Sequence, residues 1–118
     1  MAVVLDPSVL DDLRSSIGGD EAFFAELVDE LLADVPRQLA TLREAASSGD
    51  AERARRAAHT LKGNGRTFGA GELSALGLDI ETAAAAGDLA TVLTRLDAIG
   101  EAWVRTRAAL VDERGATS

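Results

Sequence analysis

The sequence predicts an all-α fold, an up-down-up-down antiparallel four-helix bundle with a short N-terminal capping helix. Apolar residues recur at steps of three and four over long segments, and no segment alternates in the manner of a β-strand. The junctions between the predicted helices are very short, which places consecutive helices side by side and antiparallel. A chain of 118 residues with 47% hydrophobic residues can form one such core, and we expect a single domain.

The first predicted helix is short and spans Val9–Ile17. Asp6-Pro7 precedes it as an N-cap followed by a proline in the first turn, and Gly18-Gly19 follows it. Because it holds only about three turns, we expect this helix to cap the bundle rather than to form one of its four long members.

The second predicted helix spans Glu21–Ala46 and begins after Asp20 as its N-cap. Pro36 lies inside it, where proline lacks a hydrogen-bond donor and crowds the preceding turn. We therefore expect one long helix with a kink. Gly49-Asp50 ends this helix and starts the next, since glycine favours the end of a helix and aspartate favours the beginning.

Three more helices follow, and the last ends before a short tail. We expect a helical domain over residues 1–113 and a frayed tail, Arg114–Ser118. The predicted helices are Ala51 to about Arg66, Glu72 to Ala86, and Leu89 to about Val111.

The apolar faces of the four long helices are expected to form the core, and their alanine-rich surfaces should let the helices approach closely. The expected core residues share helical spacing within each segment. They are Phe24, Leu27, Val28, Leu31, Val35, Leu39, Leu42, Ala54, Ala58, Leu61, Gly65, Phe68, Leu73, Leu76, Ile80, Ala83, Val92, Leu96, Ile99, Trp103 and Leu110.

The composition excludes several classes of function. The absence of cysteine excludes thiolate chemistry, and a single histidine excludes an ordinary His/Cys zinc cluster. The net charge of −8 argues against general nucleic-acid binding. With no leader-like N-terminus and no apolar run near the ~20 residues that span a membrane, we expect a soluble, cytoplasmic protein that does not bind membranes.

The only histidine, His59, is followed three residues later by the only lysine, Lys62. In a helix these two residues and Gly63 share one face, because residues three and four apart are neighbours. Glycine inside a helix costs ~1 kcal/mol relative to alanine. Gly63 is therefore an unusual choice unless another molecule approaches this face closely.

Basic residues are concentrated in the same stretch. On a chain of net charge −8 they predict a local positive field, suited to an anionic group or an acidic partner. The acidic residues Asp29, Glu30 and Asp34 are expected to lie elsewhere. The basic residues near the histidine, besides Lys62, are Arg53, Arg55, Arg56 and Arg66.

A neutral imidazole can accept a phosphoryl group. The reference pKa of histidine is about 6.5, so one ring nitrogen carries a free lone pair at physiological pH. Phosphoryl transfer depends mainly on positioning and charge stabilisation, and Lys62 is a cation within reach. The competing interpretation is that His59 is a simple surface residue. A sole histidine with lysine at i+3 and glycine at i+4 is, however, a much narrower pattern.

The run AAHTLKGNGRTFGAGEL, residues 57–73, resembles the signature of histidine-containing phosphotransfer (HPt) domains. The core of that signature is AHxLKG, followed by small residues and a glycine-rich turn. The Thr67-Phe68-Gly69 turn is also similar to that of the phosphotransfer domain of chemotaxis histidine kinases. The similarity in helix order covers most of the chain. Asn64 departs from the pattern, since the family more often has serine or another small residue there.

The resemblance implies that His59 is the phosphorylated residue, Lys62 the phosphate partner and Gly63 the clearance for a docking receiver domain. It implies a multistep two-component phosphorelay, in which one receiver phosphoaspartate donates to the histidine and another receiver takes the group away. The expected partners are response-regulator receivers and a hybrid or chemotaxis-type histidine kinase, and we expect a monomer. The expected docking residues are Arg55, Arg56, Gly63 and Arg66.

No nucleotide-binding motif is present in the sequence, neither GxxxxGK[ST] nor GxGxxG after a strand. We therefore expect a phosphorelay carrier rather than an enzyme, with no ATP site, metal or cofactor of its own. The resemblance implies that the receiver supplies the carboxylates and the divalent metal.

Glu81 is the candidate residue for orienting the imidazole. It and His59 each lie eleven residues from Ala70, the centre of the turn between two antiparallel helices, so they should stand at similar heights. Its carboxylate could accept Nδ1–H and leave the lone pair on Nε2. The chemotaxis resemblance implies the same contact. The alternatives are that Glu81 is an ordinary solvated residue, or that Asp79, on the opposite flank, takes its place.

Two other interpretations fit the same sequence. The chain could be a non-phosphorylated helical-bundle module that binds a partner through this surface. It could also be the excised phosphotransfer domain of a larger chemotaxis-type histidine kinase, which keeps the chemistry and changes the context.

Overall fold

The computed structural model describes residues 3–115, and within that range every regular element is a helix. The all-α class predicted from the sequence is confirmed. In this range no helix is both long and apolar enough to cross a membrane. The five helices of this range are α1 (Pro7–Ser16), α2 (Glu21–Ser48), α3 (Ala51–Thr67), α4 (Gly71–Ala85) and α5 (Leu89–Gly115).

The helix starts lie where aspartates follow a turn, as predicted. The side chain of Asp20 accepts the backbone N–H of Phe23, and that of Asp50 accepts the N–H of Arg53. Each bond satisfies a donor that the first turn of a helix leaves unpaired. Gly49 ends α2 with a φ of 82°, a left-handed conformation that glycine adopts without strain.

Two helices continue at least two residues past their predicted C-terminal ends. Helix α2 continues through Pro36 to Ser48 without interruption, so the prediction of one long helix is confirmed. Helix α5 ends at Gly115 rather than near Val111. Its last turn is held to α2 because Arg114 donates two hydrogen bonds, of 2.6 and 2.9 Å, to Asp29. The expected fraying at Arg114 and Gly115 is therefore replaced by helix, and residues 116–118 lie outside the described range.

Helices α2 to α5 enclose the core, with contacts between α2 and α3, α3 and α4, α4 and α5, and α2 and α5. The segment containing α1 covers this core. Leu5 and Leu10 are buried in it, and the backbone N–H of Asp6 donates to the carbonyl of Gly69 in the turn between α3 and α4. Arg14 of α1 also bonds Glu113 near the end of α5. The segment containing α1 thus contacts both the turn between α3 and α4 and the end of α5.

Most of the predicted core is buried, with four corrections. Leu27, Leu39, Leu76 and Ala83 are only partly buried and pack against the edge of the core. On α4 the buried places go to Gly77 and Ala84 instead. Leu73 and Ile80 are buried as predicted, so the buried face of this helix is the predicted one displaced towards Gly77 and Ala84.

Two glycines let α3 and α4 approach each other closely. A Cβ added at Gly77 would lie 2.8 Å from the backbone nitrogen of Lys62, and one added at Gly65 would lie 2.7 Å from that of Ser74. Real Cβ atoms do not tolerate such distances, so both positions require glycine. A Cβ at Gly63 would meet nothing within 4 Å.

Replacing Gly77 with alanine should destabilise the protein by about 1–3 kcal/mol, because the methyl group forces α3 and α4 apart. The matched control is Gly100→Ala in α5, where an added Cβ has open space. That change should stabilise the protein by up to ~1 kcal/mol through helix propensity. Urea unfolding of both variants measures the difference. Equal shifts in the two variants would show that the close approach at Gly77 is not a packing constraint.

Candidate functional site

The candidate site lies where the middle of α3 faces α4. His59 projects from α3 with 63% of its side chain exposed. Lys62, one turn later, and Glu81 of α4 are much less exposed, at 14% and 16%. The three side chains therefore form a cluster with one solvent-facing member and two members held between the helices.

The Glu81 carboxylate joins the other two residues. Lys62 Nζ donates to Glu81 Oε1 at 2.6 Å, and His59 Nδ1 lies 2.6 Å from Glu81 Oε2. The contact between His59 and Glu81 is present at the predicted nitrogen. Asp79, the weaker alternative, is exposed and takes no part in these bonds. The role of Glu81 in orienting the ring stays a prediction.

The electrostatics of the cluster fix where the imidazole proton lies. The hydrogen bond from Lys62 is the main cause that lowers the pKa of the Glu81 carboxyl, and His59 adds to it, while burial opposes both. An ionised carboxylate can only accept hydrogen bonds. Nδ1 of His59 must therefore carry the hydrogen in this contact, which leaves the lone pair of a neutral ring on Nε2.

Lys62 is less accessible than a free cation beside the imidazole would be. The sequence placed it within reach of the ring, and in the structure its side chain is mostly buried with the ammonium bound to Glu81. The reason is that Gly77 brings α4 against the backbone of Lys62, so the lysine extends along α4 rather than into solvent. Its immediate effect is to hold Glu81 ionised and in place.

The positive field around the histidine is weaker than the sequence suggested. Arg55 is bound by Glu52 through hydrogen bonds of 3.0 and 2.6 Å, and Arg53 pairs with Glu44 of α2. Acidic residues thus neutralise part of the basic stretch. Two arginines of the same helix are exposed and form no ion pair or side-chain hydrogen bond in the described part of the chain. They are Arg56 and Arg66.

The opposite flank of α3 faces α2. Asn64 donates a long hydrogen bond of 3.5 Å to Asp34, so one acid expected to lie elsewhere contacts the histidine helix. A groove of about 460 Å³ runs beside this contact and is lined in part by Leu27, Arg37 and Phe68. Asn64 therefore bridges α3 to α2 rather than facing the imidazole.

Three residues that shape the site were missed from the sequence. They are Gly77, which sets the spacing of α3 and α4; Glu52, which holds Arg55; and Asp34, which holds Asn64. A glycine inside the α4 apolar pattern was a signal for Gly77, and the i to i+3 spacing was a signal for Glu52. No signal pointed to Asp34, since its contact depends on how α2 packs against α3.

The arrangement provides a solvent-facing ring nitrogen with a lone pair, backed by a fixed carboxylate and a cation. A ring nitrogen of this kind can act as a nucleophile, and a hydrogen bond at the other ring nitrogen can set its orientation. Among the described residues, no three His, Asp or Glu side chains are placed to hold a metal ion.

Comparisons with known proteins are consistent with one another. The sequence model of a family described as "Hpt domain" matches residues 26–110. The chain is also similar to the crystal structure of histidine-containing phosphotransfer protein B (HptB) from Pseudomonas aeruginosa PAO1. That likeness has a TM-score of 0.89 and 27% sequence identity, and it covers 98% of each chain. No curated protein matches the sequence.

Glu81→Gln should make the stability of the protein less dependent on pH. Because the pKa of Glu81 is lowered by folding, its ionised form stabilises the parent above the ordinary glutamate pKa of about 4.5. That contribution is lost as the pH falls through the lowered value. We expect the variant to be about 1–2 kcal/mol less stable at pH 7 and the difference to shrink towards pH 2.5.

Urea unfolding of parent and variant across this range measures the effect. Glu101→Gln removes one negative charge at an exposed site on α5, where the carboxylate forms no ion pair within the described residues, and serves as the control. A stability difference for Glu81→Gln that stays constant down to pH 2.5 would contradict the assignment.

Proposed function

The chain belongs to the Hpt domain family, and we propose that it carries a phosphoryl group on His59 within a multistep two-component phosphorelay. Members of this family are phosphotransfer carriers rather than classical enzymes. In the proposed sequence of events, one receiver domain donates from a phosphoaspartate and a second receiver accepts the group. Since a single histidine serves both, the two receivers act in turn.

The observation that carries the proposal is the pairing of an exposed imidazole with a fixed carboxylate at Nδ1. The bond to Glu81 is 2.6 Å long, while 63% of the histidine side chain faces solvent. A nucleophile needs both an accessible lone pair and a defined direction. An ordinary surface histidine has an accessible lone pair, but nothing fixes the direction of its ring.

The transfer step uses the atoms of this cluster directly. The Nε2 lone pair attacks the phosphorus of the receiver's acyl phosphate, and the P–O bond to the aspartate breaks as the N–P bond forms. The aspartate carboxylate leaves, and no proton has to move. The ring becomes positively charged while Nδ1 keeps its hydrogen, and the Glu81 carboxylate stabilises that charge. Return to a second receiver is the same step reversed.

Lys62 acts in this scheme mainly through Glu81. Its ammonium keeps the carboxylate ionised and directed at the ring. The remaining two N–H groups of the ammonium are available to a phosphoryl oxygen that comes near. The expected role of phosphate partner thus stays a proposal, and it is secondary to that of holding Glu81.

We propose that the receiver docks on the exposed face of α3. Gly63 supports this surface, since the space where its Cβ would stand is open, as clearance for a partner requires. Arg56 and Arg66 are exposed beside it and can meet the acidic residues that surround a receiver's aspartate, and Arg55 borders the same face. The receiver would bring the carboxylates and the divalent metal, so this chain needs no cofactor of its own.

The finer architecture follows from the same proposal. Short junctions between helices that contact their chain neighbours support an up-down-up-down arrangement of α2 to α5, capped by α1. We propose that the protein acts as a monomer in the cytoplasm, taking phosphate from a relay that begins at a hybrid or chemotaxis-type histidine kinase.

Replacing His59 with glutamine should abolish phosphoryl uptake and leave the fold intact. The side chain is mostly exposed, so the stability should change by no more than about 0.5 kcal/mol. The assay mixes the protein with a labelled phosphorylated receiver and follows acid-labile label on the protein. Circular dichroism and thermal unfolding of the variant provide the control for folding.

Acid-labile label on the glutamine variant at the parent's level would refute the assignment of His59. If instead the parent binds receivers and never takes up label, the chain is the interaction module considered from the sequence.

A further inference from the structure

The phosphoryl group of the proposed function would lie over the turn of α3 that precedes His59. Side chains on a helix lean towards its N-terminus, so the outer end of a long side chain covers the preceding turn. The residues at that turn are Arg55 and Arg56, four and three positions before the histidine. Lys62 lies one turn in the other direction. The charge partner that we infer for the phosphate rests on the proposed function and on this geometry.

Lys62 is poorly placed to leave its present partner. Its ammonium is bound to Glu81 at 2.6 Å, and both side chains are largely buried. Moving the ammonium to a phosphate would leave the carboxylate at that depth with one bond fewer, which is costly for a charged group. Lys62 can therefore offer a phosphoryl oxygen only the N–H groups that Glu81 does not use, and a second cation would complete the balance of a group that carries roughly two negative charges.

Arg55 lies on the correct side of the histidine. Successive residues of a helix turn by about 100°, which places Arg55 and Lys62 on the same flank of His59 and Arg56 on the other flank. That shared flank is the one facing Glu81 on α4. In agreement, the pKa of the Arg55 guanidinium is raised mainly by Glu52 and to a smaller extent by the charge of Glu81.

In the unphosphorylated protein, Arg55 is turned away from the histidine. It donates two hydrogen bonds, of 3.0 and 2.6 Å, to Glu52, which lies three residues earlier, whereas His59 lies four residues later. The side chains of Glu52 and His59 are therefore both neighbours of Arg55 on one helix face, and its guanidinium can reach either of them. With 35% and 62% of the two side chains exposed, the pair is free to separate.

We propose that Arg55 is the positioning cation for the phosphoryl group on His59, and that Glu52 holds this arginine until the phosphoryl group replaces it. The exchange trades one ion pair for another, so it requires no rearrangement of the bundle. A phosphoryl group attracts the guanidinium more strongly than a single carboxylate does, because it carries more charge while accepting the same two parallel hydrogen bonds. Glu52 thereby sets how strongly the protein retains phosphate.

The test is the equilibrium partition of label between this protein and one receiver, measured at concentrations where the complex is scarce. Under those conditions the ratio depends on the free states alone and is insensitive to docking. Arg55→Gln should reduce the share of label on the protein by roughly two- to fivefold, and Glu52→Gln should raise it by a similar factor. When Arg55→Gln and Glu52→Gln are combined, the partition should equal that of Arg55→Gln alone.

A matched control is available on α4. Arg105 of α5 donates hydrogen bonds of 3.0 and 2.8 Å to the exposed Glu72 of α4, which lies nine residues from Glu81, or about 13.5 Å along that helix. Glu72→Gln releases an arginine in the same way at a distance from the imidazole. It should leave the partition unchanged.

Three outcomes would overturn the inference. The first is an unchanged partition for Arg55→Gln. The second is a Glu52→Gln effect of equal size with and without Arg55, which would mean that only the local field has changed. The third is the same shift for Glu72→Gln. Each requires a parent that takes up label, so failure of the inference is distinct from failure of the proposed function, in which the parent takes up none.

Discussion

The arrangement of the site depends on the hydrogen bond from Lys62 to Glu81 across the interface of α3 and α4. A carboxylate that is mostly buried stays ionised only if a cation or hydrogen-bond donors compensate for lost water, and Lys62 supplies both at 2.6 Å. An ionised Glu81 accepts the hydrogen of His59 Nδ1, which directs the lone pair to the solvent side. Gly77 makes this possible, because any side chain there would displace the backbone of Lys62.

Two glycines of α3 show how its two faces differ. Gly65, like Gly77, is required by packing, since a Cβ would strike the neighbouring helix, whereas the space beside Gly63 is open. One face of α3 is therefore committed to the core and the other is cleared of bulk. The packed interface fixes the helix that carries the histidine, and the exposed side is the surface that we propose for receiver docking. This separation lets a small domain be stable while the proposed phosphoryl acceptor stays exposed.

Much of the fold and part of the site could be predicted from the sequence, since both depend on local patterns. Helical spacing and the aspartate caps located the helices of the described part of the chain, and equal distance from Ala70 placed Glu81 opposite His59. The burial of Lys62 could not be predicted, because it depends on how closely α4 approaches. The same holds for the contact of Asn64 with Asp34 on α2, which depends on the rotation of two helices about their axes.

The most direct test of this account is the tautomer of His59, read from the 15N chemical shifts of the two ring nitrogens at a pH where the imidazole is neutral. We expect hydrogen on Nδ1 and a free lone pair on Nε2 in the parent, with this preference reduced in Lys62→Met, where Glu81 loses its cation. A parent imidazole with its hydrogen mainly on Nε2 would contradict the central claim, since the carboxylate would then not orient the nucleophile.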